Sequence, residues 1–270
     1  MAERPEAQLS ALEARLRELG RVVVAFSGGA DSAFLARVAH DVLGFDGAHS
    51  VTAVSPSLAP EERADCEALA REWGLRWTPV VTDELADPAY SANDGERCYH
   101  CKATLMEAVA PFAAEANATV VLGVNLDDLG DHRPGQRAAA EGGAVFPLVD
   151  AGFTKADVRD WSRRLGLRTW DKPAAACLAS RVPYGTPVTL GVLESVAKAE
   201  SALRALGFRQ LRVRHYGDLA RLELDGPDLE RAVGRREEIV AAVRSAGYTY
   251  VTLDLEGFRS GNLNQALRES

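Results

Sequence analysis

The sequence predicts an α/β fold, a parallel sheet covered on both faces by helices, followed by a smaller α+β domain. Three observations lead there. Short β-branched runs alternate with amphipathic helical patterns through the first two thirds of the chain. A Ser-Gly-Gly turn joins the first of those runs directly to a helix. Beyond a Pro-rich stretch ending near Gly185 the grammar changes to helix, paired strands, helix and strand. Residues 1–185 and 186–270 are therefore the expected domains.

The elements follow in order. Leu9, Leu12, Leu16 and Leu19 recur at helical spacing, and Gly20 stops them before the β-branched strand Arg21 to Phe26. A helix from Ser32 to Leu43, a strand from Ser50 to Val54, a helix from Glu61 to Trp73 and a strand from Trp77 to Val81 continue the alternation. After an irregular stretch from Asp83 to Arg97 come a helix from Lys102 to Ala116, a strand from Thr119 to Val124, a polar loop and a helix from Thr154 to Leu165. Lys172 to Pro187 reads as irregular. The second domain reads as a helix from Leu190 to Leu206, a hairpin of Arg209 to Tyr216 with Leu219 to Leu224, a helix from Asp228 to Ser245 and a strand from Thr249 to Leu255. Parallel sheets built this way place ligands beyond the carboxyl ends of their strands.

Composition narrows the function classes. At 270 residues, with 47% hydrophobic and 26% charged residues, the chain has ordinary globular values, which excludes a disordered or fibrous protein. The net charge of -8 and a pI near 5.3 argue against a broad electrostatic grip on nucleic acid or an anionic membrane. The longest aliphatic runs are strand-length, too short to span a bilayer. Met1 to Ser10 carries Glu3, Arg4 and Glu6 and no apolar signal core, so the expected compartment is the reducing cytoplasm. Four cysteines in that setting point to metal binding or catalysis before disulfides.

Ser27-Gly-Gly-Ala-Asp-Ser32 lies between a strand and a helix. Gly28 and Gly29 let the backbone turn tightly and aim amides at one point, and the new helix adds its positive end, so the loop suits a phosphate. Ser27 and Ser32 offer hydroxyls, and Asp31 can hold the Mg2+ that accompanies a polyphosphate. The alternative is a plain strand-to-helix turn with Asp31 or Ser32 as N-cap. Neither G-x-x-x-x-G-K-[ST] nor G-x-G-x-x-G occurs, so the loop is neither the Walker type nor the dinucleotide fingerprint. At a second strand end, Asp127, Asp128 and Asp131 can ligate Mg2+ and Arg133 can meet a phosphate; a solvated acidic loop with Asx turns is the other reading.

Cys98 and Cys101 form a C-x-x-C pair ahead of a helix, and Cys177 stands alone before Leu178-Ala-Ser-Arg181. Three such thiols suit an iron–sulfur cluster with one open iron, a structural zinc site completed by His100 or His132, or a redox dithiol. Cys66 falls on the apolar face of its helix with Leu69, Ala70 and Trp73 and reads as core. In Arg209 to Tyr216 the period of two puts Arg212, Arg214 and Tyr216 on one face and Leu211, Val213 and the core-facing His215 on the other. Paired guanidiniums need an anion, such as a phosphate monoester, or acidic partners such as Glu194, Glu200 or Glu223.

The Ser-Gly-Gly-x-Asp-Ser loop resembles the PP-loop of N-type ATP pyrophosphatases, in which an acceptor oxygen attacks the α-phosphorus of ATP. With Arg97-Cys-Tyr-His-Cys-Lys102, Asp128-Leu-Gly-Asp-His-Arg-Pro-Gly135, Ala176-Cys-Leu-Ala-Ser-Arg-Val-Pro-Tyr-Gly185, Arg212-Val-Arg-His-Tyr-Gly-Asp218 and Tyr250 to Gly261 in the same order, nearly the whole chain resembles the LarE family. That resemblance implies a PP-loop, adenine nucleotide alpha hydrolase-like (Rossmann-like) domain and an ATP-dependent sulfur transferase of nickel-pincer nucleotide cofactor biosynthesis, serving lactate racemase. Its substrate would be pyridinium-3,5-biscarboxylic acid mononucleotide, adenylylated and converted to thiocarboxylates. Carried over, Ser27, Gly28, Gly29, Asp31, Ser32, Asp128 and Arg133 would hold ATP, with Asp31 on Mg2+. Cys177 would supply or ligate the sulfur, and Ser180, Arg181, Glu200, Arg212 and Arg214 would meet the substrate. The family has a type with one sacrificial cysteine and a type with three cysteines around a [4Fe-4S] cluster. Retention of Cys98 and Cys101 favours the second. The resemblance also implies a homo-oligomer, hexamers being known, while leaving the sulfide donor open. A tRNA thiolation enzyme of the same superfamily, an amidating synthetase and a zinc-stapled nucleotide-binding protein are the competing readings; the acidic charge argues against the first and the cysteines against the second.

Overall fold

The structure is a computed structural model that describes residues 3–129, 134–173 and 176–259. In order the elements are α1 (Glu3–Leu19), β1 (Val22–Ala25), α2 (Ala30–Gly47), β2 (Ala48–Val54), α3 (Pro60–Trp73), β3 (Arg76–Val81), α4 (Pro88–Ser91), α5 (Arg97–Ala116), β4 (Thr119–Val121), α6 (Pro134–Glu141), α7 (Pro147–Asp150), α8 (Lys155–Arg164), α9 (Leu190–Ala205), β5 (Leu211–Tyr216), β6 (Leu219–Leu224), α10 (Asp228–Gly234), α11 (Arg236–Ser245) and β7 (Tyr250–Leu253). Among the described residues no helix is long and apolar enough to cross a membrane.

Two compact units result. The first contains residues 1–55, 60–84 and 98–175; the second contains residues 56–59, 85–97 and 176–270. In the first unit β3-β2-β1-β4 form an all-parallel sheet, as the alternation of strands and helices predicts. β1 shows why it is covered twice. Val22 and Val24 enter a cluster with Leu12, Leu16, Phe34, Leu35 and Phe153, whereas Val23 enters one with Leu105, Val109 and Val120. Successive side chains of one buried strand thus serve two cores.

In the second unit β5 and β6 pair antiparallel, with Arg212 opposite Glu223, and β7 joins β6 in parallel. Leu203, Phe208, Val213, Leu222 and Val243 fill its core.

Several boundaries differ from expectation for visible reasons. Cys98 and Cys101 lie inside the first turn of α5, not ahead of it. The Asp94 carboxylate accepts from the Glu96 amide at 2.8 Å and the Asp94 carbonyl from Arg97, which starts the helix early. The helix expected over 228–245 is interrupted at Arg235 (φ -110°, ψ 23°), whose guanidinium reaches the Leu206 carbonyl and Glu238. β4 ends at Val121, because Gly123 passes against the start of α2: a Cβ there would lie 2.8 Å from both the Asp31 carbonyl carbon and the Ser32 nitrogen.

Backbone cannot yield as a flexible side chain does. Gly123→Ala is therefore expected to cost about 1–3 kcal/mol, read as a lower urea midpoint with an unchanged m-value.

Candidate active site

In the first unit the glycine-rich loop is built by close approach. Gly28 has φ +66°, and a Cβ on it would meet Cys66 Sγ at 2.9 Å. Cys66 is fully buried, and burial pushes its thiol up to about 11, which suits a packing residue. Gly29, not Asp31 or Ser32, occupies the N-cap of α2, and no side chain caps the helix there. The amides of its first turn thus stay available to an anion. Inside the loop Ser27 Oγ and Ser32 Oγ lie 3.0 Å apart, and Ser32 Oγ donates to the Gly29 carbonyl at 3.2 Å.

Two lysines far away in sequence complete this loop. Lys155 pairs with Asp31, and Asn125 Nδ2 donates to the other Asp31 oxygen at 3.2 Å. The acidic stretch is already engaged. Asp128 accepts from the Asn125 amide at 3.1 Å, and Asp127 accepts from the Lys155 amide at 2.8 Å. Asp131, His132 and Arg133 lie outside the described residues. Lys172 donates to the Gly28 carbonyl at 3.1 Å, to Glu62 at 2.8 Å and to Asp65 at 2.5 Å. Burial opposes the Lys172 charge, but Asp65 and Glu62 outweigh it and hold the ammonium above its ordinary range.

Cys98 is exposed and Cys101 half-buried, three residues apart at the start of α5, so both thiols share one side of the helix. Cys101 Sγ lies 4.0 Å from Glu84 Oε1, which also accepts from Thr82 at 3.2 Å. All four cysteines are free thiols. Among the described residues no three His, Cys, Asp or Glu side chains are grouped as a metal site. The chemistry of the C-x-x-C pair nonetheless fits iron, since two thiols one helical turn apart are soft donors.

In the second unit Cys177 is half-buried at the N-cap of the 3₁₀ turn Leu178–Arg181. Arg181 forms a two-pronged pair with Glu200 at 2.8 and 3.1 Å, and Arg214 does the same with Glu223 at 2.9 and 2.8 Å. Both carboxylates are fully buried. Glu200 also accepts from Arg204 at 2.8 Å and from the Val213 amide at 3.1 Å, so its oxygens are engaged within the protein. Burial would raise its carboxyl, but Arg181 and Arg204 hold it below the ordinary range. Arg212 differs. It is 7% exposed and lies over the Phe258 ring at 4.7 Å, and among the described residues no carboxylate pairs with it. Burial first, then the charges of Arg181 and Arg214, push its guanidinium down to about 10. A buried cation in that condition lacks an anion. His215 meets Tyr248 Oη at 3.2 Å on the core side.

No family model matches the chain. It is 38% identical over 260 residues to the pyridinium-3,5-bisthiocarboxylic acid mononucleotide synthase of Lactiplantibacillus plantarum, covering 96% of this chain and 94% of that protein. The chain belongs to the LarE family. An uncharacterized protein of Synechocystis is 46% identical over 265 residues, covering 97% of this chain and 98% of its own length, and one of Methanocaldococcus jannaschii is 27% identical over 241 residues, covering 89% and 91%.

Within this LarE-family chain the first unit gathers Ser27, Gly28, Gly29, Asp31 and Ser32, and the second gathers Ser180, Arg181, Glu200, Arg212 and Arg214 around one turn and one strand. Lys155 and Lys172 escaped the sequence reading. Lys155 follows the capping box of Thr154 with Asp157, a local signal for a helix start but none for Asp31 as partner. Nothing near Lys172 announces Gly28.

Two expectations follow. Glu200→Ala strands buried cations and is expected to cost about 3–5 kcal/mol in urea unfolding. Because the folded carboxyl lies below its unfolded value, its contribution is fully present above the ordinary glutamate range and is lost as pH falls from there through the depressed folded value, so the wild-type advantage over Glu200→Ala should shrink in acid. Arg212→Met removes an uncompensated charge and is expected to raise the melting temperature by about 2 °C. Inorganic phosphate should stabilise the wild type more than that variant, which keeps only the glycine-rich loop as an anion site.

Proposed function

We propose that this chain is an ATP-dependent sulfur transferase that adenylylates the carboxylates of pyridinium-3,5-biscarboxylic acid mononucleotide and converts them to thiocarboxylates. The likeness over nearly the full length to a synthase named for the bisthiocarboxylic product carries the reading. The local chemistry supports it. ATP is the first substrate: the uncapped start of α2 and the Gly28–Gly29 backbone suit its phosphates, with Ser27 and Ser32 as hydroxyl partners and Asp31 on Mg2+, while Asp128 and Arg133 are further candidates for ATP from the sequence.

Lys155 neutralises Asp31 without ligand and, once Mg2+ takes Asp31, is free to meet phosphate charge. Attack of a substrate carboxylate oxygen on the α-phosphorus expels pyrophosphate. Sulfur then attacks the activated carbonyl and expels AMP, a far better leaving group than a carboxylate oxygen. Arg212, with Ser180 as a second candidate, would take the substrate's phosphate, while Glu200 and Glu223 keep Arg181 and Arg214 in place. Cys98, Cys101 and Cys177 would hold a [4Fe-4S] cluster, which when bound supplies an open iron able to carry an extra sulfide.

The test uses protein purified without oxygen. About four irons with at least four sulfides per chain are expected, with AMP and pyrophosphate formed only when the pyridinium biscarboxylate mononucleotide is present. Cys177→Ser should abolish thiocarboxylate formation while sparing pyrophosphate release, and Asp31→Asn should lower both by about 100-fold or more. Turnover with tRNA alone would overturn the substrate assignment. A single turnover with loss of sulfur from Cys177, seen as a mass decrease, would overturn cluster delivery.

A further inference from the structure

The turn carrying Cys177 is too short to hold its own shape. Leu178–Arg181 is a single 3₁₀ turn, and Cys177 at its start provides no side-chain cap. Its carbonyls are instead held by guanidiniums. Arg181 Nη1 donates to the Ala176 carbonyl at 2.8 Å and to that of Cys177 at 3.2 Å, and Arg214 Nη1 donates to that of Ser180 at 2.7 Å. A fourth carbonyl of this stretch, Ala179, accepts from Arg97 Nη1 at 2.9 Å.

Arg97 is 4% exposed, and no motif assigned it a task beyond standing before Cys98. The same nitrogen donates to Asn93 Oδ1 at 2.5 Å. Asn93 is wholly buried and left-handed, at φ +58°, a conformation that non-glycine residues seldom adopt. The strained backbone turns the Asn93 amide onto the stretch that follows the Cys177 turn: Nδ2 donates to the Pro183 carbonyl at 2.8 Å and to that of Thr186 at 2.7 Å, and the Asn93 carbonyl accepts from the Gly185 amide at 3.0 Å. On the other flank the Leu178 amide donates to the Ser57 carbonyl at 2.8 Å.

We propose that Arg97, braced by Asn93, is a positioning residue for Cys177. It fixes from the carbonyl side the turn that presents the thiol, and it touches neither substrate nor sulfur. The proposal rests on the reading of Cys177 as the sulfur-bearing residue, since only then does the orientation of the turn set the rate of transfer.

The test compares wild type with Arg97→Met and Arg97→Lys as full-length protein. In Arg97→Met, amides of residues 176–186 are expected to exchange about tenfold faster or more, with those of β5, β6 and β7 unchanged. Carboxymethylation of Cys177, mapped by mass, should accelerate in parallel. The kcat of thiocarboxylate formation should fall by about 100-fold with KM for ATP within about twofold of wild type. Arg97→Lys, which keeps the charge and N–H donors but not the length and planarity of the guanidinium, should recover part of the protection and rate; it carries the comparison if Arg97→Met folds poorly.

Wild-type exchange and alkylation in both variants would overturn the proposal. So would equal loosening of the β5–β7 sheet, which would make Arg97 a general support of the unit. Loosening confined to the turn in a protein whose wild type transfers no sulfur would uphold the positioning and refute the functional reading.

Discussion

A charge taken out of water has to be neutralised where it lies, and the second unit is arranged around that requirement. Glu200 and Glu223 are fully buried, and each is held by a two-pronged arginine, Arg181 and Arg214. With their forks fixed on carboxylates, both arginines turn their remaining N–H groups toward the carbonyls of the Cys177 turn. The ion pairs decide the direction of the guanidiniums, and the guanidiniums decide the shape of the turn. Apolar residues of similar volume would have supplied stability without that direction.

In the first unit the governing constraint is distance. Gly28 runs against Cys66 and Gly123 runs against the start of α2, so the loop, α3 and the end of β4 are locked together by the absence of two side chains. Lys172 adds the polar counterpart, tying the Gly28 carbonyl to Glu62 and Asp65 on α3. The result is a loop held from behind, whose uncapped amides face outward at the end of β1. A loop braced in this way loses little freedom when it binds a phosphate, which is the advantage of preorganisation.

Local features of the sequence were legible and distant partnerships were not. The β-branched runs gave the parallel sheet, and the helical spacing of Cys66 with Leu69, Ala70 and Trp73 gave its burial. The Ser-Gly-Gly turn announced an anion loop, since left-handed backbone and a helix start leave traces within six residues. The start of α5 was missed because Arg-Cys-Tyr-His-Cys has weak helical preference and no apolar period; its beginning depends on the Asp94 carboxylate and carbonyl. Lys155 finds Asp31 across 124 positions, and Arg97 finds Ala179 across 82. Composition and periodicity hold no record of such pairs.

The alternation of β5 placed Arg212 and Arg214 together but could not tell them apart, and the partner strand does. Glu223 stands opposite Arg212 in register, yet its carboxylate is taken by Arg214 and Arg221, and Glu200 is taken by Arg181 and Arg204. Arg204 and Arg221 reach solvent, so their charges are screened. Of the buried Arg181, Arg212 and Arg214, the first and last are matched by Glu200 and Glu223, whereas among the described residues Arg212 pairs with no carboxylate and lies over the Phe258 ring. A fold under selection for stability alone would have an apolar residue there. Retaining a desolvated guanidinium whose proton affinity is already weakened makes sense where an anion arrives to complete it, and a phosphate monoester has the charge and the paired oxygens to do so.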